Sequence, residues 1–225
     1  MLNFSGRGNS ETISPNITEK LFIIAADLGQ ANDYTAITVI DRQVTGYGVL
    51  GADGYGERMQ HVRHIERVRG VEYPVIVDRL SEIYRSKALA GVPKAVVIDY
   101  TGLGRPVFDM MKQAGFHFSL NAISITGGDV EHVRESGVYT VPKRDLVSTV
   151  QIELQNDRLK FAKGLKEANN LIEELSNFQT SITATGKDTY NGRSGVHDDI
   201  VMSLAMGVWL GCKHRIYRCG DDRFM

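Results

Sequence analysis

The sequence LFIIAADLGQANDYTAITVID at residues 21–41 decides the fold class of this 225-residue chain. A short apolar run ends abruptly at Asp27, and a turn containing Gly29 leads to a second run rich in β-branched residues. The first run is typical of a strand buried on both faces, and the second is typical of its antiparallel partner. Because an ionised carboxylate at the end of a buried strand is costly unless it is paired, Asp27 is either a cap of the Gly29 bend or a metal ligand.

Two further apolar elements carry carboxylates at one end. The sequence KAVVID at residues 94–99 is a second buried strand, and it ends in Asp99. The sequence HDDIVMSLAMGVWL at residues 197–210 predicts a buried helix with Asp198 and Asp199 at its N-terminal end. Strands and helices that alternate through the remaining sequence place these elements in an α/β fold, where their ends can converge at one edge of a central sheet.

The chemistry of this set of acids favours a divalent cation. Clustered carboxylates repel one another strongly unless a cation lies between them, and a site with oxygen donors and no cysteine suits Mg²⁺ or Mn²⁺. Two such ions about 3.5–4 Å apart are the usual apparatus for displacement at a phosphodiester. Neighbouring helical residues point about 100° apart. We therefore expect Asp199 to face the sheet edge and Asp198 to be the N-cap whose carboxylate accepts hydrogen bonds from free backbone N–H groups.

The composition limits the class of protein. Hydrophobic residues make up 42% and charged residues 24%, as in an ordinary soluble globular protein. No apolar run approaches the ~20 residues of a membrane span, so no membrane partner is expected. Residues 1–20 are polar and are interpreted as a flexible leader or linker, and residues 213–225 as a basic C-terminal tail. The net charge of −1 gives no argument for nucleic acid, and two cysteines are too few for a disulfide framework.

Several motifs together resemble a known family, and the resemblance runs from Leu21 to Trp209. They are Asp27 in the opening hairpin, Asp99 followed by TGLG, PKRDLV at 142–147, RLKFA at 158–162, ANNLIEEL at 168–175 and HDDIV at 197–201. Their order is similar to that of the ribonuclease H-like nucleases, and more narrowly to the C-terminal nuclease domain of the large terminase subunit of tailed bacteriophages.

The resemblance implies a ribonuclease H-like fold at residues 21–212, with a central mixed β-sheet flanked by helices. It implies that Asp27, Asp99, Asp198 and Asp199 bind two Mg²⁺ or Mn²⁺ ions and catalyse hydrolysis of double-stranded DNA. It also implies a packaging ATPase domain or subunit, a portal protein and a small terminase subunit as partners, in the cytoplasm of the bacterial host.

Three further residues are candidates for DNA contact. Lys143 and Arg144 at a predicted helix start would hold a phosphate as point charges, and His197 would move a proton or touch the scissile phosphate. For all three, a solvated surface position is the alternative.

One feature departs from the family. Nothing matches the ATPase motif Gly-x-x-x-x-Gly-Lys-[Ser/Thr], so we expect an isolated nuclease domain or a stand-alone relative and no ATPase activity.

Three alternative functions stay open from the sequence. A Holliday-junction-resolvase-like nuclease would use similar acids, but it would need a dimer and a basic face shaped for a junction. An actin-like phosphate-binding ATPase fragment would explain the aspartate and glycine turns, although such proteins need two domains of this kind and this chain is too short for both. A non-catalytic DNA-binding module would leave the acids unexplained.

Overall fold

The computed structural model describes residues 16–29, 33–46, 57–102, 104–116, 119–135, 137–185 and 197–213. The strands in these ranges are β1 (Asn16–Asp27), β2 (Tyr34–Gly46), β3 (Glu57–Arg69), β4 (Lys94–Asp99), β5 (Leu120–Thr126), β6 (His132–Glu135), β7 (Val138–Pro142) and β8 (Leu159–Phe161). The α-helices are α1 (Tyr73–Arg85), α2 (Gly104–Met111), α3 (Lys143–Gln155), α4 (Ala168–Thr185) and α5 (Asp199–Lys213).

The strands of the described residues form one mixed sheet in the order β6-β7-β5-β4-β1-β2-β3-β8. β2 runs antiparallel to both β1 and β3, as the opening hairpin predicted, and the short strand β8 lies parallel to β3. β4, β5 and β7 then lie parallel to one another, and β4 lies parallel to β1. The predicted central mixed sheet flanked by helices is therefore confirmed, and β1 joins its antiparallel and parallel halves.

Both faces of β1 are buried, which explains its unbroken apolar sequence. Ile23 and Ala25 pack in the core beneath α5, and Ile24 and Ala26 pack in the core beneath α1 and α2. Since side chains alternate along a strand, Asp27 continues the α5 face. The same alternation in β4 places Asp99 on that face.

The described strands reach beyond the predicted start of the nuclease domain. β1 begins at Asn16, which pairs with Gly46, so strand pairing includes residues 16–20 of the segment interpreted as a leader. Residues 1–15 lie outside the described ranges. α5 ends at Lys213, and the rest of the predicted basic tail also lies outside them.

No helix in the described part of the chain has the length and apolar character needed to cross a membrane.

Candidate metal centre

Adjacent parallel strands bring Asp27 and Asp99 to the same sheet edge. β1 and β4 pair in register up to Ala26 and Ile98, and each aspartate is the next residue of its strand. The backbone N–H of Thr101 donates a 2.7 Å hydrogen bond to Asp99 Oδ1, which holds this carboxylate at the start of the following turn. The structure therefore places the two strand-end acids side by side on the α5 face.

Small residues on α5 allow this helix to lie close to β1 and β2. Asp199, Ser203 and Gly207 recur every four residues and share one helix face. The Ser203 hydroxyl donates a 3.0 Å hydrogen bond to the backbone carbonyl of Ala25, and a Cβ at Gly207 would lie 2.8 Å from Ile40 Cδ1. Because the face that contacts the sheet begins with Asp199, the helix delivers this carboxylate to the sheet, as predicted from the helical period.

The predicted capping role of Asp198 is wrong. The Asp198 carboxylate accepts a 2.6 Å hydrogen bond from Lys143 Nζ at the start of α3. The backbone N–H groups of Ile200 and Val201 instead donate 3.0 Å hydrogen bonds to Glu174 Oε2 of α4. Glu174 of α4 therefore caps the N-terminus of α5, and the Asp198 carboxylate pairs with the ammonium group of Lys143.

Three of the predicted acids act electrostatically on the fourth, Asp27. Burial raises the pKa of Asp27 well above its ordinary value of 3.8, and the negative charges of Asp99, Asp199 and Asp198 raise it further. The ammonium group of Lys143 opposes this shift. Burial and the neighbouring negative charges therefore oppose ionisation of Asp27, and a divalent ion would remove the repulsion.

The pKa values of Asp99 and Asp199 are also raised. Burial raises the pKa of Asp99, although the hydrogen bonds from Thr101 oppose the shift. Burial also raises the pKa of Asp199, against a lowering by Arg67, whose guanidinium group donates a 2.7 Å hydrogen bond to Asp199 Oδ2. Desolvated carboxylates at one sheet edge are the environment in which binding of a metal ion replaces bound protons.

Asp33 is a residue of this region that the sequence reasoning missed. Asp33, His197 and Asp199 each offer a ligand atom, and these atoms lie within 4.8 Å of one another. His197 Nδ1 is 3.8 Å from Asp33 Oδ1 and 3.8 Å from Asp199 Oδ2, and its ring packs edge-on against Tyr34 at 4.8 Å. An acid at the start of β2, across the turn from Asp27, was the available signal.

The three predicted DNA contacts lie in different surroundings. Lys143 is half-buried and bound to Asp198, beside the acids. Arg144 forms a 2.6 Å ion pair with Asp129, in the segment before β6. His197 is exposed at the edge of the acidic cluster. Their contact with DNA stays a prediction.

The residues of the centre fit a hard divalent cation. Asp27, Asp99, Asp198 and Asp199 offer carboxylate oxygens, which Mg²⁺ and Mn²⁺ prefer. Asp33 and His197 place a further carboxylate and one imidazole beside Asp199. The donor set suits metal-assisted hydrolysis.

Comparisons with known proteins agree with this architecture. The family model described as "Terminase RNaseH-like domain" matches residues 24–209. The large terminase subunits of Thermus phage G20c and Thermus virus P23-45 are 23% and 24% identical over 206 residues, which cover 92% of this chain and 35% of each relative. The chain thus spans about a third of the length of these relatives.

A solved structure shares the fold. The crystal structure of the large terminase nuclease from the thermophilic phage G20c superposes with a TM-score of 0.51 at 20% identity, over 85% of each chain. The predicted ribonuclease H-like fold is confirmed, and so is the resemblance to the terminase nuclease. This chain belongs to the terminase RNaseH-like domain family.

Proposed function

We propose that this chain is a metal-dependent endonuclease domain that hydrolyses phosphodiester bonds of double-stranded DNA in phage genome packaging. The observation that carries the proposal is the convergence of Asp27, Asp99, Asp198 and Asp199 at one sheet edge, where three of these acids raise the pKa of the fourth. Membership of the terminase RNaseH-like domain family supports it.

Asp27, Asp99 and Asp199 would hold the metal ions, with Asp198 as a further ligand. Two Mg²⁺ or Mn²⁺ ions would supply an activated water on one side of the phosphodiester and charge stabilisation for the leaving oxygen on the other. Partial desolvation of Asp27 and Asp199 strengthens the interaction of both carboxylates with a cation.

Basic side chains near the acids would act on the substrate. Lys143 Nζ carries three N–H groups, and it would donate one of them to a DNA phosphate while keeping its contact with Asp198. Arg144, the next residue, would attract the phosphates of the DNA backbone by its positive charge. The exposed imidazole of His197 would accept or return a proton at the edge of the centre.

The biological setting is part of the same proposal. The two Thermus phage relatives are large terminase subunits, and this chain covers 35% of their length. We place the domain with a packaging ATPase, in the same chain or in trans, and with a portal protein and a small terminase subunit. Its site of action would be the cytoplasm of the bacterial host.

Incubation with supercoiled plasmid tests the activity. We expect nicked and linear DNA with Mn²⁺ or Mg²⁺, little sequence preference, and no turnover with Ca²⁺. Asp27→Asn should abolish cleavage, whereas Asp78→Asn, an exposed acid on α1, should leave it unchanged. Cleavage that persists in excess chelator would refute the proposal, and a preference for four-way junctions over linear duplex would favour a resolvase.

A further inference from the structure

Arg67 of β3 makes three contacts beside the metal centre. One terminal nitrogen donates a 2.7 Å hydrogen bond to Asp199 Oδ2, and the other lies 3.6 Å from Glu174 Oε1. Its guanidinium carbon stands 3.8 Å from the centroid of the Tyr34 ring. The Arg67 side chain is only 12% exposed, so these interactions are weakly screened by solvent.

The sheet determines where the guanidinium group lies. Arg67 pairs with Ala36 in the β2–β3 ladder, and Tyr34 lies two residues before Ala36 on the same face of β2. A planar guanidinium group can stack on an aromatic ring while its edge donates to carboxylates, which an ammonium group cannot do. The ring and the two carboxylates thus hold one orientation of Arg67.

Arg67 reaches the first turn of α5 by two routes. It donates a hydrogen bond directly to Asp199 Oδ2. It also lies against Glu174, whose other oxygen accepts hydrogen bonds from the N–H groups of Ile200 and Val201. The Arg67 guanidinium group therefore orients both the side chain of Asp199 and, through Glu174, the backbone that follows it.

We propose that Arg67, stacked on Tyr34, is a positioning residue that orients the Asp199 carboxylate for metal binding. This inference rests on the proposed metal-dependent function. Partners that orient a ligand from outside typically change metal affinity about 10–100-fold when they are removed. Repulsion between the guanidinium group and the metal ion has the opposite sign, so the direction of the change in affinity separates positioning from simple charge balance.

Calorimetric titration of the DNA-free protein with Mn²⁺ tests the inference, at a temperature well below unfolding. Arg67→Gln and Arg67→Lys should each weaken Mn²⁺ binding about tenfold or more, because lysine keeps the charge but loses the planar fork and the stack. The matched control is Arg79→Lys. Arg79 of α1 donates a hydrogen bond of the same length, 2.7 Å, to Glu66, whose side chain lies on the face of β3 opposite to that of Arg67.

The aromatic partner provides a second test that leaves Arg67 in place. Tyr34→Phe retains the ring and should bind Mn²⁺ like the wild type. Tyr34→Leu removes the stack and should weaken binding, by less than the Arg67 variants do. This pair also keeps the inference testable if the Arg67 variants do not fold.

Unchanged or tighter Mn²⁺ binding in Arg67→Lys would overturn the positioning role, as would equal affinities of Tyr34→Leu and Tyr34→Phe. A wild type that binds no Mn²⁺ would overturn it as well. If the wild type binds Mn²⁺ and the variants weaken it, but no DNA is cleaved, positioning stands and the proposed nuclease function fails.

Discussion

Glu174 of α4 offers a test of the cap on the N-terminus of α5. Glu174 is only 4% exposed to solvent, and its Oε2 accepts 3.0 Å hydrogen bonds from the backbone N–H groups of Ile200 and Val201. Burial raises the pKa of Glu174 from 4.5 to about 7, and the charge of Asp199 adds to this shift. Glu174→Gln keeps a carbonyl oxygen for the two N–H groups and removes the buried charge.

The pKa shift predicts both the sign and the size of the effect. Because the folded pKa exceeds the unfolded pKa, Glu174 stabilises the folded state at low pH, and this contribution is lost as pH rises through about 7. At about 1.4 kcal/mol per pKa unit the whole contribution is about 3.5 kcal/mol. About 2.5 kcal/mol of it disappears between about pH 5 and pH 8.

Urea unfolding in chelator, at pH 5 and at pH 8, measures this difference. The free energy of unfolding of Glu174→Gln minus that of the wild type should be larger by about 2.5 kcal/mol at pH 8 than at pH 5, because only the wild type loses stability as pH rises. Glu173→Gln, an exposed neighbour on α4, is the control and should show no such change. A difference between Glu174→Gln and the wild type that does not vary with pH would show that the buried carboxyl is not the origin.

Three further outcomes follow from the same geometry. Asp199→Asn should abolish plasmid cleavage and Asp198→Asn should retain part of it, with little loss of melting temperature because α4 supplies the cap; the reverse order of rates would contradict this assignment. Asp27→Asn should melt at a higher temperature than the wild type at pH 8 in chelator, because the raised pKa makes the ionised Asp27 destabilising, and it should lose most of the stabilisation by Mn²⁺; a lower melting temperature would mark Asp27 as structural. Gly29→Ala should destabilise the fold by about 1–3 kcal/mol in urea, because the new Cβ would overlap the backbone carbonyl of Tyr34; wild-type stability would show that the turn can move.

The sequence predicted the strand-end acids because their signal is local. A buried apolar strand that stops at an aspartate can be recognised from consecutive residues, and Asp27 and Asp99 both follow this pattern. The choice of Asp199 as the acid that faces the sheet followed from the helical period, and the small residues Ser203 and Gly207 on its face confirm it.

The capping prediction failed for a physical reason. The residue at the N-terminal end of a helix ordinarily accepts hydrogen bonds from the free backbone N–H groups, and the Asp198 carboxylate has the right chemistry to do so. Lys143, 55 positions earlier in the chain, binds the Asp198 carboxylate instead, and Glu174 of α4 accepts the hydrogen bonds of the free N–H groups of α5. Competition among partners distant in sequence cannot be judged from the local pattern.

What the sequence determined by itself is the part of the molecule governed by alternation, helical period and turn chemistry: the order of the elements, the faces of the strands and the acids at their ends. Only the tertiary structure decided which groups surround those acids. Arg67 lies 132 residues from Asp199 in the chain, and Asp33 approaches His197 only when the β1–β2 hairpin and α5 meet. Such contacts depend on how the sheet and helices pack, and that packing results from the burial of many apolar residues rather than from any one motif.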